Sequence, residues 1–216
     1  MTYLSSGIIK SSFKILNEAK IPYLLIRNIN NELPSNLIPG KDIDILIQGD
    51  NLVKMISHLK LNGFKERPHP WRGDIFLYAL PKFKFLVRDG LIFDFCTKLP
   101  CRSINQGEWL PLDDFIQRNA WETRVLKSFD GVEYYTLSNE VELVTLIVRS
   151  IFDKNKFESG YKCRIKGLLK INLDEKLILE MLSVVFFLAS DFIWDAINSR
   201  SDFSKIYRDY ISFKNY

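Results

Sequence analysis

Apolar residues recur along this chain in two rhythms, one helical and one alternating, and their order outlines the fold. Between residues 5 and 19, Ile8, Ile9, Phe13, Ile15, Leu16 and Ala19 follow a roughly 3.6-residue spacing that stops before Ile21-Pro22, which predicts a first helix. Tyr23 to Ile26 is a short apolar run closed by Arg27-Asn28, as in a buried strand, and an Asn- and Pro-rich loop covers 29–41. Asp42-Ile-Asp-Ile-Leu-Ile47 starts by alternating and ends wholly apolar, marking a second strand. Gln48-Gly49-Asp50-Asn51 is turn and cap chemistry. Leu52, Met55, Ile56, Leu59 and Leu61 then share a helical face that ends at Gly63. Three extended apolar runs follow at 74–80, 83–88 and 91–96, split by Pro81 and by the hairpin dipeptide Asp89-Gly90.

Beyond Leu99 the strand pattern fades. Leu112 to Trp121 opens a region of helical spacing broken at Asp130-Gly131, and Ser138-Asn-Glu-Val-Glu142 reads as an N-cap with early acids that starts a helix running through Phe152. Further helices are predicted over 159–170, 174–198 and 202–213. The expected fold class is therefore α+β: a mixed sheet flanked by helices over residues 1–100, then a mainly helical region over 101–216. Phe186, Phe187, Phe192 and Trp194 sit in an apolar helix without interleaved Arg or Lys, so they are assigned to the core and not to a base-stacking platform. The run Met181 to Ser190 is about ten residues, roughly half of a bilayer span, and is read as a buried helix with no membrane span expected. Met1-Thr-Tyr-Leu-Ser-Ser6 has no basic segment leading into an apolar stretch, so a cytoplasmic location is expected.

Composition narrows this picture only slightly. Of 216 residues, 47% are hydrophobic, enough for a real core, and 30 basic against 26 acidic residues leave a charge of +4 spread through the chain. That balance suits an anionic small molecule as well as a nucleic acid. Cys96, Cys101 and Cys163 have neither Cys-x-x-Cys spacing nor a nearby His partner, which argues for free thiols over a disulfide framework or a zinc site.

The candidate chemistry is acidic. Asp42 and Asp44 are two apart in a strand, so their side chains leave the same face and can share a metal ion. Two carboxylates side by side at an apolar sheet end repel one another unless a divalent cation neutralises them, and magnesium, with its oxygen ligands, fits. Asp94 is a lone acid inside the apolar run Leu91-Ile-Phe-Asp-Phe-Cys96 and needs a partner of the same kind. His58 and His69 have no partner at ligand spacing. The basic set Arg149, Lys154, Lys156, Lys162, Arg164 and Lys166 lies near helix ends, where it can face phosphate or simply complement helix dipoles.

An Asp-x-Asp on one strand with a third Asp on a later strand, within a helix–strand order running from Ile21 to Leu99, resembles the polymerase-beta-like nucleotidyltransferase superfamily. The likeness is closest to bacterial uncharacterised nucleotidyltransferases, whose first strand reads like Leu24-Leu-Ile-Arg-Asn28 and second like Gly40-Lys-Asp-Ile-Asp-Ile-Leu-Ile47. Arg149, Lys154, Phe157, Tyr161 and Arg164-Ile165 are similar to a helical segment that follows this core. The resemblance implies a magnesium enzyme with two ions on Asp42, Asp44 and Asp94, Asp94 also accepting the proton of an attacking hydroxyl. It implies a nucleoside triphosphate donor, a small hydroxylated acceptor of the surface-polysaccharide kind, release of pyrophosphate, and a substrate-binding role for 101–216. Phosphate contacts would come from Arg27, Asn28, Lys41, Arg149 and Arg164. The superfamily usually has Gly-Ser after the first strand, where this chain has Arg27-Asn28. That departure keeps open a nucleotide-binding or regulatory module without turnover, beside an antitoxin-like or nucleic-acid-acting transferase, although nothing in the sequence demands RNA.

Overall fold

Ile43, Ile45 and Ile47 point to one side of their strand and Asp42, Asp44 and Leu46 to the other, and this period of two decides where the site lies. The computed structural model describes residues 3–28, 32–68, 83–102, 109–154, 156–199 and 206. The expected runs at 74–80 and 202–213, and His69, lie outside the described residues, apart from Ile206, which is helical and buried.

The chain opens with α1 (Ser6–Glu18), β1 (Tyr23–Leu25), β2 (Asp42–Ile47), α2 (Gly49–Leu61), β3 (Lys65–Arg67), β4 (Phe83–Arg88) and β5 (Leu91–Cys96). A short ribbon of β6 (Pro100–Arg102) and β7 (Trp109–Pro111) leads to α3 (Asp114–Glu122) and the hairpin β8 (Val125–Phe129) and β9 (Val132–Thr136). Then come α4 (Asn139–Val148), a π-helical turn (Arg149–Asp153), α5 (Ser159–Leu168), α6 (Glu175–Phe186) and α7 (Ser190–Asn198). Among the described residues, seven strands form one mixed sheet in the order β3-β4-β5-β2-β1-β9-β8. β2 runs antiparallel to β1 and parallel to β5, and β9 is parallel to β1.

The sheet separates two cores. Ile43, Ile45, Ile47, Phe93 and Phe95 pack against α1 and α2, whose helical spacing buries Ile9, Phe13 and Leu16 on one helix and Leu52, Met55 and Leu59 on the other. Leu24, Leu46 and Cys96, on the opposite face, pack with the helices of the second half. At the centre of that second core lies α4, buried from Leu143 to Val148 and started by Ser138, whose hydroxyl accepts from the Val141 N–H at 3.4 Å. The architecture is thus α+β, a mixed sheet flanked by helices with a helical C-terminal region.

Three expectations are corrected. Residues 125–136 are a hairpin and not part of a helical stretch, because Asp130 (φ 47°) and Gly131 (φ 75°) form a left-handed two-residue turn like Asp89-Gly90. The single helix expected over 174–198 breaks at Phe187, whose φ of 50° starts a short tight turn before α7. Phe186 and Trp194 are buried, but Phe187 is 75% exposed at that corner and is not core. Glu175–Asn198 as a whole is long and apolar enough by composition to cross a membrane, more than its central ten residues suggest. Here it is bent, with Ile178, Met181, Leu182, Ile193 and Ile197 facing the second core.

Candidate active site

Parallel pairing of β2 and β5 sets Asp44 directly beside Asp94 and Asp42 beside Ile92. Because Phe93 and Phe95 turn to the α1–α2 side, Asp94 emerges on the face that carries Asp42 and Asp44. One carboxylate oxygen from each of the three lies within 4.8 Å of the others, so the three acids can hold a metal ion. Burial pushes the Asp44 carboxyl up; Arg27 and Arg149 oppose this and Asp42 reinforces it, leaving the group above the ordinary carboxylate range. An arrangement that disfavours its own charge is one a cation relieves.

Arg27 enters the site because the β1 ladder continues one step past the strand: the Ile26 N–H donates to the Asp44 carbonyl at 3.1 Å. The next residue is therefore alongside Asp44, and Arg27 Nη1 donates to Asp44 Oδ1 at 2.6 Å. Burial works to lower the pKa of this guanidinium, but Asp44, with Tyr161, Cys96 and Asp94 adding to it, outweighs burial and holds the group above its ordinary value. Asn28 lines the same cleft, yet its Oδ1 accepts the N–H groups of Glu32 (2.8 Å) and Leu33 (3.3 Å) and so fixes the loop turn. Lys41 is ion-paired with Glu32 across the mouth.

The opposite wall comes from the π-helical turn. Its widened ring, closed by the Lys154 N–H on the Arg149 carbonyl at 2.9 Å, brings Arg149 and Lys154 to one cleft. Phe152 anchors the turn on its apolar side by stacking on Phe186, with centroids 5.5 Å apart. Arg149 Nη2 lies 2.7 Å from Asp153 Oδ2, while its Nε and Nη1 are buried and make no hydrogen bond among the described residues. Asp153 is itself 3.7 Å from Arg102, whose guanidinium lies over the Trp109 ring at 5.0 Å. The first residues of α5, Ser159, Gly160 and Tyr161, complete the wall, with Lys156 nearby. The cleft measures about 810 Å³, within the usual range of small-molecule sites.

Of the residues singled out from the sequence, Asp42, Asp44, Asp94, Arg27, Asn28, Lys41 and Arg149 meet in this cleft. Arg164 does not line it. Its Nε and Nη2 clasp Glu142 at 2.8 and 2.5 Å, joining α5 to α4, so its donors are already committed to a carboxylate. Lys162 and Lys166 are likewise outside the lining, and a His58 ring nitrogen lies 2.9 Å from the Ile15 carbonyl, joining α2 to α1. The sequence reading missed Glu32, Trp109 and Asp153. Only Asp153 carried a signal, its i,i+4 spacing from Arg149. Cys96, Cys101 and Cys163 are free thiols, with burial pushing Cys96 up and Cys101 to about 11.

No family model matches the chain, and no curated protein matches it at a significant level. Among solved structures, an antigenic nucleotidyltransferase-like protein from Paracoccidioides brasiliensis aligns over 94% of this chain and 96% of its own, at 14% identity and a TM-score of 0.45.

Proposed function

We propose that the protein is a magnesium-dependent nucleotidyltransferase, moving a nucleoside monophosphate from a nucleoside triphosphate to a hydroxyl of a small acceptor. The convergence of three carboxylates from two strands within 4.8 Å, in a cleft that Arg149, Lys154 and Lys156 also line, carries this reading. The donor set is all carboxylate oxygen, which fits a hard divalent ion that keeps waters and takes substrate phosphates as its remaining ligands. When bound on Asp42, Asp44 and Asp94, two such ions would neutralise the charge developing at phosphorus.

The chain's own residues account for the rest. An acceptor hydroxyl beside Asp94 gives its proton to that carboxylate as its oxygen bonds to the α-phosphorus. The bond from that phosphorus to the β-phosphate oxygen breaks, and pyrophosphate leaves. Arg149, which lines the cleft, and Lys154 and Lys156 beside it, meet the phosphates, so these phosphate contacts come from beyond residue 100. A surface-polysaccharide intermediate is the acceptor class that the sequence resemblance suggests, and the free thiols Cys96, Cys101 and Cys163 suit a cytoplasmic site of action.

A second reading has one observation in its favour: Arg27 stands where the superfamily has Gly-Ser and already engages Asp44, as expected of a nucleotide-binding module without turnover. A thermal-shift screen of the four nucleoside triphosphates with and without magnesium, followed by a pyrophosphate-release assay, separates the two. An enzyme shows metal-dependent stabilisation by a triphosphate and turnover that Asp42→Ala or Asp44→Ala abolishes. Stabilisation without any turnover selects the binding module, and no response to any triphosphate removes both.

A further inference from the structure

The cleft contains one charge arrangement that a metal-binding triad does not by itself require. Asp44, the central acid of the three, is already bonded to a cation of the protein's own at 2.6 Å. Both partners are largely withdrawn from water, with 22% of the Arg27 side chain and 13% of the Asp44 side chain exposed. A divalent ion on Asp44 would stand within a few ångströms of the Arg27 guanidinium and compete with it for the same oxygens. Metal entry alone therefore leaves a buried guanidinium beside a second positive charge, which is costly. An anion entering with the metal removes that cost, because the guanidinium fork can transfer from carboxylate to phosphate. A second observation points the same way: Arg149, only 8% exposed and lining the same cleft, is ion-paired to Asp153 through Nη2, while its buried Nε and Nη1 find no hydrogen-bond partner among the described residues.

Resting on the metal-dependent reading above, we propose that Arg27 is a resident counter-ion that holds Asp44 against metal alone, and that it passes to the donor's phosphates when metal and triphosphate enter together. Arg27 is then a positioning residue. A Gly-Ser in its place would offer phosphate a backbone cradle but no charge to guard the acids. The consequence is positive coupling: triphosphate tightens metal binding, and metal tightens triphosphate binding by the same factor.

The test is calorimetric titration with Mn²⁺ alone and with the Mn²⁺–tripolyphosphate complex, in the wild type, Arg27→Met and Arg27→Lys, with Mn²⁺ paramagnetic resonance reporting occupancy. The wild type should bind the complex well and Mn²⁺ alone weakly. Arg27→Met should bind Mn²⁺ alone about tenfold more tightly and the complex less tightly, within the usual range of such couplings. Arg27→Lys, which keeps the charge but not the fork, should leave Mn²⁺ alone weak while loosening the complex, and it serves if Arg27→Met does not fold. Unchanged or weaker Mn²⁺ binding by Arg27→Met, or Arg27→Lys binding Mn²⁺ tenfold more tightly than the wild type, overturns the counter-ion role. If neither the wild type nor the variants bind Mn²⁺ in either form, the triad is no metal site, and the functional reading falls together with the counter-ion.

Discussion

Asp94 and Asp44 lie side by side, yet they should answer differently to substitution. Replacing Asp94 with Asn removes one of three mutually repelling charges and keeps the shape. In metal-free buffer stability should therefore rise or change by less than about 1 kcal/mol, while transfer is lost. Asp44→Ala instead removes the Arg27 partner at 2.6 Å and leaves Asp42 and Asp94 as its nearest carboxylates, and urea unfolding should show a loss of about 1–2 kcal/mol. A large loss from Asp94→Asn would make that acid structural. Tyr23 gives a pH signature on the far side of the sheet. Its hydroxyl donates to Asn17 at 2.9 Å, and burial, with Tyr134 adding, raises the phenol above its ordinary value. The unfolded chain thus ionises first, so the stabilisation is complete below about pH 10 and is lost as pH rises beyond it. Tyr23→Phe should be less stable at neutral pH but show a smaller drop in urea midpoint between about pH 9.5 and 11. An equal drop in both proteins would clear Tyr23 of the effect. Residues of this kind differ in how far sequence discloses them. Asp42, Asp44 and Asp94 stood out because each interrupts an apolar strand, whereas Glu32 and Trp109 sit in irregular segments where an acid or an aromatic raises no question.

At the scale of elements, local rules located α1, α2, α3 and α4, because each carries a helical stripe and three of them a side-chain cap. They failed where the partner of an element is distant. The β8 strand is solvated along its length and has no buried alternation to mark it, although Asp130-Gly131 is the same dipeptide that revealed the hairpin at Asp89-Gly90. The break at Phe187 was hidden because an aromatic with φ of 50° violates backbone preference. Phe187→Gly should therefore raise stability by about 1 kcal/mol, readable from a urea midpoint, and a loss would show that the exposed ring contributes more than the strain costs. The cleft wall formed by β6 and β7 depends on α3 in the same non-local way. Gln117, buried, accepts from the Leu99 N–H at 2.9 Å and donates to the carbonyls of Leu99 and Leu112 at 3.0 and 3.1 Å. Gln117→Leu leaves the Leu99 N–H and the Leu112 carbonyl unpaired, which should cost on the order of 2 kcal/mol and shift the Trp109 emission to the red. Unchanged emission would mean that the ribbon is held from elsewhere.

For the whole molecule, the seven-stranded sheet is a partition, with an apolar α1–α2 core behind it and the acids facing the helices of the second half. That placement follows from register, since a shift of one residue in β2 would bury Asp42 and Asp44 in the first core and expose Ile43 and Ile45 to the cleft. The sheet also draws β8 and β9 from beyond residue 100, so chain order and spatial layering do not coincide. Sequence periodicity disclosed the side to which the acids point, but not that Arg149 and Asp153 of a π-helical turn would close over them, because that depends on how α4 docks on the sheet. The most direct measurement of the central claim is anomalous diffraction at the manganese edge from crystals grown with Mn²⁺ and a non-hydrolysable nucleoside triphosphate. Manganese bonded to oxygens of Asp42, Asp44 and Asp94, with phosphate within reach of Arg149, is the predicted result. Manganese bound elsewhere, with Asp44 still held by Arg27 and the nucleotide in place, would contradict it.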